Sequence, residues 1–308
     1  MDLDQRDAKI RSAMFLWLEQ MAAIHGDVLP RSLLLEGFPF EGGSISALHP
    51  AGRGIWKPKG LDTALSLTTT VGSPYDDHFS GDRLAYSYQG NNPGSSDNCA
   101  VRSAKNNQIP LAYFHAVMPG RYCAFWPVLV IGDDSGSLRF WVQVEPAGVA
   151  IGGATILGSV DGSMISNDVS RRAYGTSVVK TRLHQRGFRE RVLSAYQSCC
   201  AMCRLKHREL LDAAHIIPDK EGGEPVVSNG IALCKIHHAA FDKRVIGVNP
   251  DGYRIAVRED VLREVDGPML RHGIQEMEGR KLWVPRSAAK KPDLEALAVQ
   301  WQRFRDVG

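Results

Sequence analysis

The sequence has no run of 18 apolar residues, so it offers no candidate for a membrane-spanning helix. Its first twenty residues, MDLDQRDAKIRSAMFLWLEQ, place acids where a secretory signal needs basic residues, and they lack a continuous apolar stretch. A cytoplasmic protein is expected. There is no internal repeat or low-complexity tract, and 44% apolar with 23% charged residues is ordinary for a globular chain. Disorder, collagen-like structure and coiled coil are excluded on that composition. Cysteine is scarce, at six in 308 residues, and without a secretory signal no disulfide framework is expected. Charge of either sign is almost balanced: 37 Lys and Arg against 34 Asp and Glu leave +3, which argues against a strongly basic nucleic-acid binder.

That balance is a sum over unlike halves. Residues 1–170 carry 12 basic and 17 acidic side chains, a net of −5, whereas residues 171–308 carry 25 and 17, a net of +8. Different partners for the two halves are expected, and the length suits two domains.

Four of the cysteines cluster within the basic half. Cys200-Ala-Met-Cys203 is a Cys-x2-Cys knuckle, and 31 residues after it comes the Cys-x2-His knuckle Cys234-Lys-Ile-His237. Three thiolates and one imidazole satisfy tetrahedral Zn²⁺ and leave no open position, so the expected site is structural rather than catalytic. Cys199 is an alternative to Cys200 for the first position, but the x2 spacing from Cys200 to Cys203 closes the tight turn that a knuckle needs.

Between the knuckles, residues 210–217 are apolar and extended in character and end at Pro218. Residues 235–244 read as a short helix, which puts His238 and Asp242, at i and i+4, on one face. Such a pair suits a divalent ion with open positions for phosphate and water. Upstream, Arg182, Arg186 and Arg189 lie on an amphipathic helical stretch and suit phosphate contacts that do not read bases. Lys281–Lys291 and a final helix over residues 292–305 continue the basic character.

The segment Asp212-Ala-Ala-His215-Ile-Ile-Pro218, then Asn229, then Cys234-x2-His237-His238-x2-Phe241-Asp242 resembles the HNH (ββα-metal) endonuclease family over roughly residues 186–250. The resemblance implies that His215 is the general base activating water, that Asn229 holds the loop orienting it, and that His238, nine residues after Asn229, ligates the catalytic metal. Phosphodiester cleavage needs an activated water and a cation to absorb charge on the phosphate, which fits those roles. Mg²⁺ is the expected catalytic ion, with Mn²⁺ or Ni²⁺ as alternatives because an imidazole is a ligand. The chain departs from many members of the family at Ala214, where they carry a metal-binding His or Asp. Asp212 lies two residues earlier, on the same face of a strand, and is expected to serve as the replacement ligand.

The first half reads as one helix over residues 4–24 followed by short β-like runs, Ala64–Thr70, Arg83–Tyr88, Ile109–Val117, Ala124–Val130 and Leu138–Val144, a pattern that suits a barrel or curved sheet. Within it, Pro74-Tyr75-Asp76-Asp77, Gly81-Asp82-Arg83-Leu-Ala-Tyr86-Ser-Tyr88 and Asp97-Asn98 resemble the SRA family of modified-cytosine readers. That resemblance implies an SRA/PUA-like β-barrel in which two aromatics hold a flipped base and an aspartate meets its Watson–Crick edge. Tyr75 with Tyr88 or Tyr86 are the expected aromatics, and Asp77, with Asp76 as alternate, the expected acceptor.

The expected fold class is α+β, with an SRA-like recognition domain over residues 1–165, a linker over 166–185 and an HNH nuclease domain over 186–308. The expected activity is that of a modification-dependent (type IV restriction) endonuclease on double-stranded DNA carrying 5-methylcytosine or 5-hydroxymethylcytosine, with no membrane partner. Duplex cleavage from single-metal sites makes a homodimer, or two molecules meeting on DNA, the expected arrangement. Two alternatives stay open: an HNH nuclease without modification specificity, and a reader whose nuclease fold is inactive.

Overall fold

Ile10, Met14, Trp17 and Leu18 recur at helical spacing and are buried together, which is why the N-terminal segment is a long helix with one face committed to a core. The computed structural model describes residues 3–71, 78–80, 83–144 and 183–307. The chain divides into two units, Met1–Arg186 and Gly187–Gly308.

In the first unit, α1 (Leu3–His25) leads to β1 (Val28–Pro30), the short α2 (Arg31–Glu36) and a hairpin of β2 (Phe38–Phe40) and β3 (Gly43–Ile45). Next come β4 (Ile55–Trp56), β5 (Ser66–Thr69), β6 (His78–Ser80), β7 (Arg83–Ser87), α3 (Ser96–Asn106), β8 (Leu111–Met118), β9 (Arg121–Asp134) and β10 (Arg139–Val144). The sheet runs β4-β5-β8-β9-β10-β7-β6, with β1 added to β9. Its pairings are antiparallel except β5 with β8. Side chains alternate between its two faces: Ala112, Phe114 and Trp126 join the core under α1, while Leu111, Tyr113 and Phe125 join a second core that includes Val101 and Ala104 of α3. The path ends at β4 and β6 without meeting, so the described strands form a curled half-barrel.

α4 (residues 183–195) contains the division between the units. The second unit then holds the hairpin of β11 (Leu211–His215) and β12 (Gly230–Cys234), α5 (Lys235–Asp242), a second hairpin of β13 (Ile246–Asn249) and β14 (Arg254–Val257), α6 (Glu259–Arg263), α7 (Pro268–Gly273) and α8 (Leu294–Arg305). Its core gathers Phe188, Val192 and Tyr196 of the α4 segment, Leu211 and Ala213 of β11, Phe241 of α5 and Leu297 of α8. The molecule is of mixed α+β class. Among the described residues, no helix is long and apolar enough to cross a membrane.

Candidate metal centre and nuclease site

Cys200, Cys203, Cys234 and His237 come together with their ligand atoms all within 4.8 Å of one another. The first knuckle is shaped by its backbone: Arg204 takes a left-handed conformation, and its N–H donates to the Cys200 carbonyl at 3.0 Å. Cys234 ends β12 and His237 follows one turn into α5, so a strand-to-helix junction delivers the second pair. His237 Nδ1 lies 3.1 Å from Cys234 Sγ and 3.5 Å from Cys200 Sγ, and Cys203 Sγ lies 3.9 Å from Cys234 Sγ. Tetrahedral Zn–S bonds of about 2.3 Å put neighbouring sulfurs roughly 3.8 Å apart, so these spacings fit a zinc-sized ion. Nε2–H of His237 donates to the Gly273 carbonyl at 2.8 Å, which turns Nδ1 toward the sulfurs. Cys203 and Cys234 hold the Cys200 thiol far below its ordinary range, while the same crowding pushes Cys203 up. Packed thiols competing for protons in this way make a donor set that a dication relieves. The spare Cys199 is turned away, its thiol donating to the Arg204 carbonyl at 3.2 Å.

His215 ends β11 and pairs across the hairpin with Gly230. Its imidazole is stacked on Phe188 of α4, with ring centroids 4.0 Å apart and planes within 18°. Asn229 is buried just before β12, and its side chain closes the loop after β11. Its Oδ1 accepts from Ile217 N at 2.9 Å, and its Nδ2 donates to the carbonyls of Ile217 and Glu224 at 3.0 and 2.9 Å. Gly223 makes room for this arrangement, since a Cβ there would sit 1.9 Å from the Ile217 carbonyl oxygen and 2.8 Å from Asn229 Nδ2.

His238 lies between two carboxylates. Its Nε2 is 3.3 Å from Asp242 Oδ2, one helical turn on, and its Nδ1 is 3.7 Å from Asp212 Oδ2, an ion-pair contact too long for a good hydrogen bond. Asp212 raises the His238 pKa against the effect of burial, and Asp242 adds to the rise. Burial opposes ionisation of Asp212, but His238 and Lys235 hold its carboxyl well below the usual range. Lys235 Nζ lies 3.0 Å from Asp212 Oδ2, and the Ala213 N–H donates to Oδ1 at 2.9 Å. Arg189 Nε also lies 3.5 Å from Asp212 Oδ1, so Asp212 is already engaged by four neighbours, whereas Asp242 is more than half exposed. Nothing in the sequence pattern singles out Lys235 except its place directly after Cys234, at the start of the helix.

Of the arginines expected to follow phosphates, Arg189 donates to the Leu211 carbonyl at 2.9 Å, the Arg208 carbonyl at 3.3 Å and Glu190 at 3.0 Å. It braces α4 against the strand entry. Arg186 pairs with Asp27 at 2.6 Å within the first unit. Arg182 lies outside the described residues, as do Tyr75, Asp76 and Asp77. Tyr86 and Tyr88 are described and both are buried. Tyr88 stacks on Phe140 at 4.4 Å, and its hydroxyl donates to Asp133 and accepts from Arg102. Tyr86 meets Tyr113 edge-on and donates to the Thr68 carbonyl at 3.3 Å. Each ring thus has a place in the core of the half-barrel.

Residues 200–249 match the HNH endonuclease family. Among solved structures, the chain is similar to a "Modification dependent TagI restriction endonuclease", at 15% identity over 79% of this chain and 82% of that one, with a TM-score of 0.31. It is also similar to the "Type IV phosphorothioation-dependent restriction endonuclease ScoMcrA", at 14% identity over 83% of this chain and 59% of that one, with a TM-score of 0.21. TM-scores this low establish no shared fold. No curated protein matches the chain. The HNH family implies DNA as the substrate and a divalent metal in the reaction. An HNH endonuclease domain spans residues 200–249, and the protein is a nuclease.

Proposed function

We propose that the protein is a modification-dependent DNA endonuclease, with a recognition domain over residues 1–165, a linker over 166–185 and the nuclease domain over 186–308. The observation that carries the nuclease half is a single hairpin and helix that brings His215, Asn229 and His238 into one small unit, next to the Cys200–Cys203–Cys234–His237 cluster. Zn²⁺ is the ion proposed for that cluster, in a structural role.

His215 accepts the proton of the attacking water, whose oxygen forms the new bond to phosphorus as the sugar oxygen leaves. Asn229 holds the 217–224 loop so that the end of β11 cannot drift. His238 and the exposed Asp242 are the proposed ligands of a Mg²⁺-type ion, Mn²⁺ and Ni²⁺ included. Asp212, which lies against His238 and Lys235, is the proposed replacement for the ligand that Ala214 lacks. When bound, the divalent ion supplies positive charge to the phosphate and the leaving oxygen.

Specificity for 5-methylcytosine or 5-hydroxymethylcytosine, read by flipping the base, is assigned to Tyr75 with Tyr88 or Tyr86 as the two aromatics and to Asp77, with Asp76 as alternate, as the acceptor. Arg182 and the basic second half supply phosphate contacts, and a homodimer on duplex DNA, in a bacterial cytoplasm, completes the reading. The test is digestion of plasmids carrying cytosine, 5-methylcytosine or 5-hydroxymethylcytosine side by side with Mg²⁺ or Mn²⁺. Cleavage confined to a modified plasmid is expected. Equal cleavage of all three would leave an HNH nuclease without modification specificity.

A further inference from the structure

We propose that Phe188 is a positioning residue for the general base, and that Gly230 is glycine in order to admit it. The proposal rests on the reading of His215 as that base. Phe188 projects from α4, 27 residues before His215 in the chain, and lies face to face with its imidazole at 4.0 Å and 18°. The ring itself is fixed, being 2% exposed and part of the core of the second unit.

Gly230 supplies the second, independent observation. Its backbone is ordinary extended strand, at φ −135° and ψ 143°, which any residue adopts. Conformational freedom therefore does not explain a glycine here. Space does: a Cβ at 230 would lie 2.8 Å from Phe188 Cζ, 3.1 Å from its Cε2 and 2.5 Å from Val192 Cγ2. Gly230 is also the cross-strand partner of His215. The hairpin thus omits a side chain directly opposite the base, and the vacated volume is filled by the edge of the ring that covers the base.

The consequence is orientational. Rotation of the imidazole about its last side-chain torsion would drive a ring edge into Phe188, so the flat contact confines the ring plane and with it the direction in which the nitrogens point. Aliphatic side chains of similar volume fill the same core space without a flat face to confine the imidazole. Misplacement of a reacting group by about 1 Å costs on the order of a hundredfold in rate, and a loosened ring is expected to lose roughly ten- to a hundredfold.

The experiment compares wild type, Phe188→Leu, Gly230→Ala and His215→Ala. Rates are read as kcat and KM on the plasmid substrate, and the His215 ring protons by NMR on the protein without added divalent ion. In wild type, the stacked phenyl shifts those protons upfield. In Phe188→Leu they should return toward ordinary histidine positions while kcat falls roughly ten- to a hundredfold and KM holds. Gly230→Ala, which leaves Phe188 in place but pushes it, should show the same two changes and keeps the test alive if Phe188→Leu does not fold. A folded Phe188→Leu with wild-type kcat overturns the positioning role, whatever its ring protons do, while leaving the nuclease reading intact. Full cleavage by His215→Ala overturns the reading of the base, and the positioning role falls with it.

Discussion

His215 and His115 are both histidines on strands of hairpins or sheets, and their surroundings direct them to opposite ends. His215 is half-buried beside Phe188 at the open end of β11. On the proposed role as general base, its replacement by alanine should reduce cleavage by about 10²–10⁴-fold, with DNA binding and metal content unchanged in a gel-shift and metal assay. His115 is half-buried on β8, in a series of contacts where Thr69 Oγ1 lies 2.9 Å from the Tyr113 hydroxyl and that hydroxyl lies 2.8 Å from His115 Nδ1. Burial lowers its pKa to about 4, so the folded protein keeps the ring neutral. Between pH 6.5 and about 4 the unfolded chain binds a proton that the folded one refuses, so stability is complete above 6.5 and falls as the pH drops through that window. The loss is at most ~3 kcal/mol at a full pKa displacement of this size. Urea unfolding at pH 7 and pH 5 should reveal it, and in His115→Asn the difference between the two should shrink.

At the scale of elements, α5 does two tasks with consecutive residues. Neighbours on a helix point about 100° apart, so His237 turns inward to the cysteines and Gly273, while His238 turns to Asp212 and Asp242. The Cys-x2-His-His-x3-Asp spacing makes this division legible in the sequence alone, and β11, α5, α8 and all five β-like runs of the first half are legible there too. α3 is not, because its sequence SDNCAVRSAKN carries only Ala100, Val101 and Ala104 as a buried apolar face and is otherwise polar. Its helix is secured from outside, by the Ser95 cap and by the buried Asn98 bonding to Gln89 and Asn92. The second hairpin, β13 and β14, also leaves no clear sequence pattern, although Gly247 marks a close approach: a Cβ there would meet the Phe304 ring of α8 at 2.5–2.9 Å. Gly247→Ala should lift α8 from β13 and destabilise the second unit by about 1–3 kcal/mol, the range for overpacking a filled core, seen as a lower urea midpoint.

For the whole molecule, the metal cluster and the two-unit division set the terms. The cluster ties residue 200 to residue 237 in a unit of only 122 residues, Gly187–Gly308. Cys203→Ser should lose zinc and unfold that unit, since the metal's binding energy is folding energy in small sites of this kind. Circular dichroism with and without a chelator, read beside the metal content, checks it. A zinc-free protein that melts as the wild type does would refute the structural role.

The candidate ligand set Cys200, Cys203, Cys234 and His237, the His215–Asn229–His238 spacing, the α+β class and the unlike charges of the two halves all follow from the order of residues alone. These are local properties: each depends on residue type and on separations of a few positions along one strand or helix. What each charged or aromatic side chain is available to do follows only from packing. Arg189 faces the Leu211 carbonyl, Tyr88 stacks on Phe140, and Phe188 covers His215 across a gap that Gly230 leaves open. Partners of that kind come from distant parts of the chain, and only the folded arrangement, which places them within a few ångströms, selects one among the many that composition allows.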